Sequence, residues 1–298
     1  MFLKSIYYKL IDHKWLLGFP QNDLKNILEG EQLEVKWVKG MPEDRWFADP
    51  FILSVSETAI VLLVEEYVYS IKKGRIAKLT IDRTNYTLLK NELVLELDTH
   101  LSFPAIIREG NQIYIYPENS DANNLCLYRY NVEDNSCIFV DKLSDEPLAD
   151  AISTSAFGDK QLLSTVVPHQ NGDTLGVFLF DDNCKRYKWQ YDVSFEENIA
   201  RNAGDIFQVD NLYYRAAQIC NHGYGEGLSF QRLSVDDNKK IKLEEVVRMY
   251  SPNSRFEIGM HTFNTYAGVS VIDVKGYKHP IVGRLVSKLK SLIYFYAR

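Results

Sequence analysis

The chain has only four cysteines, Cys126, Cys137, Cys184 and Cys220, and no two of them form a CxxC pair. Four cysteines are compatible with disulfides, but a reduced, cytoplasmic protein is the expectation. No stretch reaches the roughly 18–20 apolar residues that a bilayer-spanning helix needs. The apolar start, 1–19, is interrupted by Lys9, Asp12, His13 and Lys14, and no small-residue cleavage site follows it. It does not read as a secretion signal. Positive charge is in short supply: 34 Lys and Arg against 40 Asp and Glu leave a net charge of −6. That balance argues against a general nucleic-acid binder. There is no Walker loop, Rossmann fingerprint or Gly-x-Ser-x-Gly elbow, and no His, Cys and carboxylate spacing typical of a metal site. No cofactor and no metal is therefore expected. No linker or low-complexity tract divides the chain, so 1–298 reads as a single domain.

What is present is a repeat. Five segments open alike: Ala48-Asp49-Pro50-Phe51-Ile52, Phe103-Pro104-Ala105-Ile106-Ile107, Ala149-Asp150-Ala151-Ile152, Asn202-Ala203-Gly204-Asp205-Ile206 and Met260-His261-Thr262-Phe263. Each passes from a polar or Pro-marked step into an apolar run, and a second apolar run follows across a turn. The openings recur about every 50 residues, and the runs between them have strand length. Such a period predicts an all-β fold, a five-bladed β-propeller over about 33–275. Leu33–Val38 is a candidate for the strand that closes the ring. Short helices are expected at both ends: a helical segment over 1–30, with Phe2, Ile6 and Leu10 on one face, and a second helix over about 280–296. After Asp273 the chain has no acidic residue, while Lys275, Lys278, Arg284, Lys288, Lys290 and Arg298 are basic. A basic amphipathic helix of this kind either docks on the propeller or lies on an anionic membrane surface.

Equivalent positions of a propeller repeat converge on its axis, so the polar residues at the openings are the candidates for chemistry. Asp49, Asp150 and Glu118 are the candidate catalytic carboxylates. Two or three carboxylates around one funnel are what glycosidic-bond chemistry uses, one as base or nucleophile and one held protonated as acid. Trp46, Glu66, His100, Arg201, Asn202, Arg215, Gln218, His222 and His261 are candidates for substrate binding. Trp46 offers a ring to a pyranose face, and the polar members suit hydroxyls or a phosphate. Each has a plainer reading too: Asp-Pro at a strand start is a turn device, and one of the adjacent Glu65 and Glu66 must face outward.

Several segments carry a resemblance. Trp46-Phe47-Ala48-Asp49-Pro50-Phe51, Glu65-Glu66-Tyr67, Lys73-Gly74-Arg75-Ile76-Ala77 and His100-Leu101-Ser102-Phe103-Pro104 are the first of them. Tyr116-Pro117-Glu118-Asn119-Ser120, Tyr214-Arg215-Ala216-Ala217-Gln218 and Gly259-Met260-His261-Thr262-Phe263-Asn264 continue the set. Together they resemble the five-bladed propellers of glycoside hydrolase family 43 and the wider arabinanase–levansucrase–invertase superfamily. They are more closely similar to the N-terminal domain of glucosamine inositolphosphorylceramide transferases and their bacterial relatives. The resemblance implies a carbohydrate-handling propeller serving cell-surface polysaccharide or glycolipid synthesis, with a sugar or sugar-lipid substrate. Its implied partner is a glycosyltransferase; the basic C-terminal helix separately offers a contact with the inner membrane surface. A non-catalytic glycan-binding module is the alternative. By analogy with family 43, Asp49 stands in the place of the general base and Asp150 in that of the carboxylate that tunes the acid. The acid of that family is a Glu opening the fourth blade, where this chain has Arg201-Asn202.

Overall fold

The computed structural model describes residues 12–286, and within them the strands, β1–β20 in chain order, form five four-stranded antiparallel sheets. The first blade is β3 (Arg45–Val55), β4 (Ala59–Val68), β5 (Lys73–Asp82) and β6 (Leu88–Leu95). The second is β7 (Ser102–Glu109), β8 (Gln112–Glu118), β9 (Leu125–Asn131) and β10 (Ser136–Ser144). The third is β11 (Leu148–Thr154), β12 (Gln161–Val166), β13 (Thr174–Asp181) and β14 (Arg186–Ser194). The fourth is β15 (Phe207–Val209), β16 (Leu212–Ile219), β17 (Gly227–Val235) and β18 (Ile241–Met249). The fifth joins β19 (Phe263–Tyr266) and β20 (Val269–Tyr277) to β1 (His13–Pro20) and β2 (Val35–Trp37). The repeat openings lie on or just before β3, β7, β11, β15 and β19, the innermost strands of a five-bladed propeller.

Burial follows from position in the blade. Inner strands are covered by neighbouring blades on both faces, so β4 reads as a nearly unbroken apolar run, Ile60 to Val64. Outer strands such as β14 and β18 keep one wet face and alternate with Lys, Arg and Glu. The apolar residues buried between blades include Phe51, Phe103 and Ile152 of the first three.

The N-terminal segment differs from the helical expectation. His13–Pro20 is a strand, and only the short helix α1 (Leu24–Leu28) follows it. The reason is the free edge of β20, which β1 satisfies in antiparallel register from His13↔Tyr277 to Gly18↔Ile272. Trp15, Leu17 and Phe19 alternate into the core, a period of two rather than of a helix. Closure therefore takes two strands from the N-terminal region, with Val35–Trp37, inside the expected Leu33–Val38, on the outside. The propeller begins at His13 rather than near residue 33. Gly18 permits the packing: a Cβ there would come within 2.5 Å of Val35 and 2.7 Å of the Trp37 ring. The face formed by Phe2, Ile6 and Leu10 lies outside the described residues, as does the chain from 287 onward; residues 280–286 are helical.

The inner strands share one local device. Between Ala48 and Phe51, Ser102 and Ala105, and Ala149 and Ile152 the register slips by a β-bulge. The bulge places Asp49, Phe103 and Asp150 at φ of 49°, 45° and 47°, in the left-handed region. In the first two blades the next residue is proline, which has no N–H to contribute to the ladder there. Of the three, Asp49 reaches the axial cavity, while Phe103 packs in the core against Phe51.

If β1 is an integral strand of the closing blade, trimming its core side chain will be costly. Leu17→Ala removes a fully buried side chain and is expected to lower the unfolding free energy by about 2–5 kcal/mol, read by urea titration. A change within error would show that the N-terminal strand is not part of the cooperative unit.

Candidate functional site

The axis residues are tied blade to blade. The Asp49 N–H donates to Asp273 Oδ2 at 2.9 Å, and Asp49 Oδ2 accepts the Phe103 N–H at 3.0 Å. The Asp150 N–H donates to Glu118 Oε2 at 2.9 Å, and the Asp150 carbonyl accepts Asn202 Nδ2 at 2.7 Å. Asn264 Nδ2 returns to the Pro50 carbonyl at 2.9 Å. These bonds hold the bulged residues of neighbouring blades in fixed relation.

At one end of the axis a cavity of about 430 Å³ opens. Its lining includes Asp49, Glu65, His100, Glu118, Arg201 and His261, with the rings of Trp15, Trp46, Tyr67 and Tyr224. Trp46 and Tyr67 stack with centroids 4.8 Å apart and planes 5° apart, forming an aromatic wall. His261 stacks on Trp15 at 3.9 Å and stands between two carboxylates, with Nδ1 2.8 Å from Asp273 and Nε2 3.4 Å from Asp49. Thr262 Oγ1 donates to Asp49 Oδ1 at 3.0 Å. His100 accepts the Gly74 N–H on Nδ1 at 3.0 Å, so the neutral ring carries its proton on Nε2, 3.1 Å from Glu65 Oε1. Arg201 donates through Nε to Asp150 at 2.6 Å and through Nη2 to Glu118 at 3.4 Å, with its guanidinium 4.9 Å from the Tyr224 ring centre.

Burial shapes the protonation of this group. Loss of water pushes the Asp49 carboxyl up to about 7, against the pull of His261. Burial, reinforced by the neighbouring Asp150, pushes Glu118 up to about 8 in spite of Arg201. Burial alone would lower His261, but Asp273 and Asp49 outweigh it and the net shift is upward. A carboxyl that keeps its proton at neutral pH, sharing a cavity with a second carboxyl poised near neutrality, is the pairing that acid–base chemistry requires.

Of the residues selected from sequence, Trp46, Asp49, His100, Glu118, Arg201 and His261 line the cavity. Asp150 does not. It lies directly behind Arg201, with Oδ2 also accepting Gln218 Nε2 at 2.6 Å. Gln218 and Asn202 belong to this supporting layer. Arg215 is fully buried inside the fourth blade, where Gln231, Asn202 and the carbonyls of Ile199 and Ala200 take its donors. Glu66 points away from the cavity into a cluster with Arg45, Arg75 and Asn91, since adjacent strand residues face opposite ways. His222 is an exposed loop residue paired with Glu226 at 3.3 Å. The site thus gathers six of the selected residues; Arg215, Glu66 and His222 fall outside it, because a polar residue in a strand can equally serve a blade interior or a rim.

Sequence reading passed over Trp15, Tyr67, Tyr224 and Lys275, which also line the cavity. Tyr67 sits in a segment already notable for resemblance, while the helical expectation for 1–30 hides Trp15. Among the described residues Asp49, His261 and Asp273 form the one group whose donor atoms lie within 4.8 Å of one another, as metal ligands do. Asp273 is already fully engaged: Oδ1 takes the N–H groups of His261 and Thr262 besides the imidazole, and Oδ2 takes that of Asp49. The set suits a charge-paired brace better than an ion cage.

The architecture is shared with carbohydrate-active propellers of known structure. A GH43_1 enzyme from Xanthomonas citri complexed with xylotriose matches with a TM-score of 0.54 at 9% identity, over 80% of this chain and 90% of that one. An exo-beta-1,3-galactanase from Clostridium thermocellum matches with a TM-score of 0.50 at 10% identity, over 81% and 64%. At such identities the likeness is one of fold, and the class it defines is the five-bladed β-propeller. Within it, the family described as glucosamine inositolphosphorylceramide transferase 1, N-terminal, matches residues 37–264, and the chain belongs to that family. The glucosamine inositolphosphorylceramide transferase 1 proteins of Arabidopsis thaliana and Oryza sativa subsp. japonica are each 24% identical, over 70% and 68% of this chain. The chain spans 28% of the length of each of these relatives.

The raised Glu118 has a measurable consequence. Its carboxyl moves from an ordinary 4.5 to about 8 on folding, so between those values the folded state binds more protons than the unfolded one and stability falls as pH rises. Glu118→Gln, neutral throughout, is expected to flatten that fall in urea titrations across the window. An unchanged slope would mean that Glu118 is ionised in the fold.

Proposed function

We propose that this chain acts on a glycosidic bond of a sugar or sugar-lipid held in the axial cavity. The carrying observation is the pair of cavity carboxyls from different blades, Glu118 raised to about 8 and Asp49 to about 7. In this reading Glu118 donates its proton to the oxygen of the departing group. Asp49, ionised, takes the proton of the attacking water or acceptor hydroxyl. The Trp46–Tyr67 wall offers a flat apolar surface to the sugar ring, and His100 and Arg201 offer donors to its hydroxyls. Membership of the transferase-associated family supports placing this chemistry in cell-surface polysaccharide or glycolipid synthesis, beside a glycosyltransferase. The four free thiols fit a reducing, cytoplasmic setting.

One observation favours a second reading, a non-catalytic glycan-binding module that partners a glycosyltransferase. Arg201 occupies the fourth-blade opening where the family-43 resemblance would place an acid, and it is clamped by Asp150 and Glu118. Turnover of aryl glycosides and of nucleotide sugars with simple acceptors separates the two readings. Glu118→Gln and Asp49→Asn are each expected to cut turnover about a hundredfold or more, measured on protein that remains folded by circular dichroism. Wild-type activity should fall as pH rises through about 8, where Glu118 loses its proton. Binding of glycans without turnover, unchanged in Glu118→Gln, would establish the module instead.

We further propose peripheral contact with the anionic inner membrane surface through the C-terminal helix. Within the helical residues 280–286, Gly283 packs against Tyr277 while Ile281 and Leu285 point outward, 77% and 58% exposed. Vesicles rich in anionic lipid should retain the protein at low salt and release it at high salt, because the attraction is screened. Equal recovery with neutral and anionic vesicles would leave only docking on the propeller.

A further inference from the structure

The strand pairing defines a second repeated position at the cavity. Opposite the residue before the bulge in the first three blades, on the next strand, stand Glu65 (facing Ala48), Glu118 (facing Ser102) and Thr165 (facing Ala149). In the fifth blade an isolated bridge pairs Gly259 with Lys275 on β20, just beyond Asp273, which accepts the Asp49 N–H as Glu118 accepts that of Asp150. Glu65, Glu118 and Lys275 all line the cavity. Lys275 thus brings a cation from the second strand of the fifth blade into the same lining as the two glutamates.

The cations of this lining are not alike. Arg201 stands against Asp150 and Glu118, His100 against Glu65, and His261 against Asp49 and Asp273. His13 is held neutral, its pKa lowered to about 4 by burial and by the nearby Lys275. Lys275 alone has no carboxylate within ion-pair distance among the described residues. Its ammonium sits 5.5 Å from the ring centres of both Trp15, its cross-strand partner, and Tyr224. Two aromatic faces hold the group in place but satisfy none of its three N–H donors. Of the cavity carboxyls, Glu118 keeps its proton, Asp49 and Glu65 face imidazoles, and Asp12 accepts the His13 N–H.

We propose that Lys275 is a specificity-determining residue that binds an anionic oxygen group, carboxylate or phosphate, on the sugar in the axial cavity. The proposal rests on the sugar-handling reading above and narrows it to acidic sugars. Cation–π contact orients the ammonium, and the ligand anion completes its hydrogen bonding in a partly dry site, where a charge-assisted bond is strongest.

The test uses the full chain and isothermal titration with matched probes: D-glucuronate against D-glucose, D-galacturonate against D-galactose, D-glucose 6-phosphate, and inorganic phosphate. At least one acidic sugar is expected to bind about tenfold more tightly than its neutral counterpart, as one hydrogen bond to a charged group warrants. Glucuronate or galacturonate as the winner identifies a carboxylate ligand, and glucose 6-phosphate a phosphate. Lys275→Met should abolish the preference while leaving affinity for the neutral sugar unchanged, and Lys275→Arg should retain it. The wild-type preference should also weaken as salt is raised, a measurement that stands even if Lys275→Met does not fold. Equal affinity for acidic and neutral sugars, or a preference that survives Lys275→Met or ignores salt, overturns the assignment and leaves the sugar reading intact. Binding of phosphate that depends on Lys275, with no sugar bound, keeps the anion site and removes the sugar reading. No binding of any probe overturns both.

Discussion

Charge taken out of water must be matched, and at the centre of this propeller that requirement ties the blades together. Asp49, Glu118, Asp150, Arg201, His261 and Asp273 have little or no contact with solvent. An unpaired buried charge costs several kcal/mol, so each must find donors or acceptors close by. Mostly it finds them on another blade: Asp49 on Asp273 and Phe103, Asp150 on Glu118 and Arg201. Electrostatic satisfaction of the axis and closure of the ring are therefore one set of contacts. The cavity is rigid for the same reason, because its lining groups are the ones that hold neighbouring blades in place.

The bulged inner strands make this possible. A non-glycine residue at positive φ costs on the order of 1–3 kcal/mol, and three inner strands carry one. The compensation is visible in the hydrogen bonds that each bulge makes: Asp49 and Asp150 give their N–H groups to carboxylates of other blades, and Phe103 gives its N–H to Asp49. Strain, pairing and site geometry thus meet at the same three residues.

One scaffold then carries different chemistry around its ring. The position on the second strand opposite the residue before the bulge holds Glu65, Glu118 and Thr165 in the first three blades. The backbone presents these three equivalently, and side-chain identity alone makes two of the blades acidic there and the third neutral. That is how a fold shared with sugar-cleaving enzymes at about 10% identity can hold a site of its own.

The amino-acid sequence by itself determined the blade count, because a propeller repeat is written in local signals. Polar step, apolar run and turn recur within each unit, and strand alternation needs no distant partner. It also determined that Asp49, Glu118 and His261 stand near one axis, since repeat position implies rotation about it. Closure was legible only through Leu33–Val38; the apolar spacing at the chain start suggested a helix and hid the alternation of Trp15, Leu17 and Phe19. Tertiary structure alone decided which of two equivalent aspartates meets the cavity. Asp49 reaches it, while Asp150, at the same bulge two blades away, lies behind Arg201, which arrives from a position 51 residues later. The protonation of Glu118 was settled there as well, by burial and by Asp150. Those outcomes depend on side-chain reach and loss of water between blades, and such quantities exist only once the ring has closed.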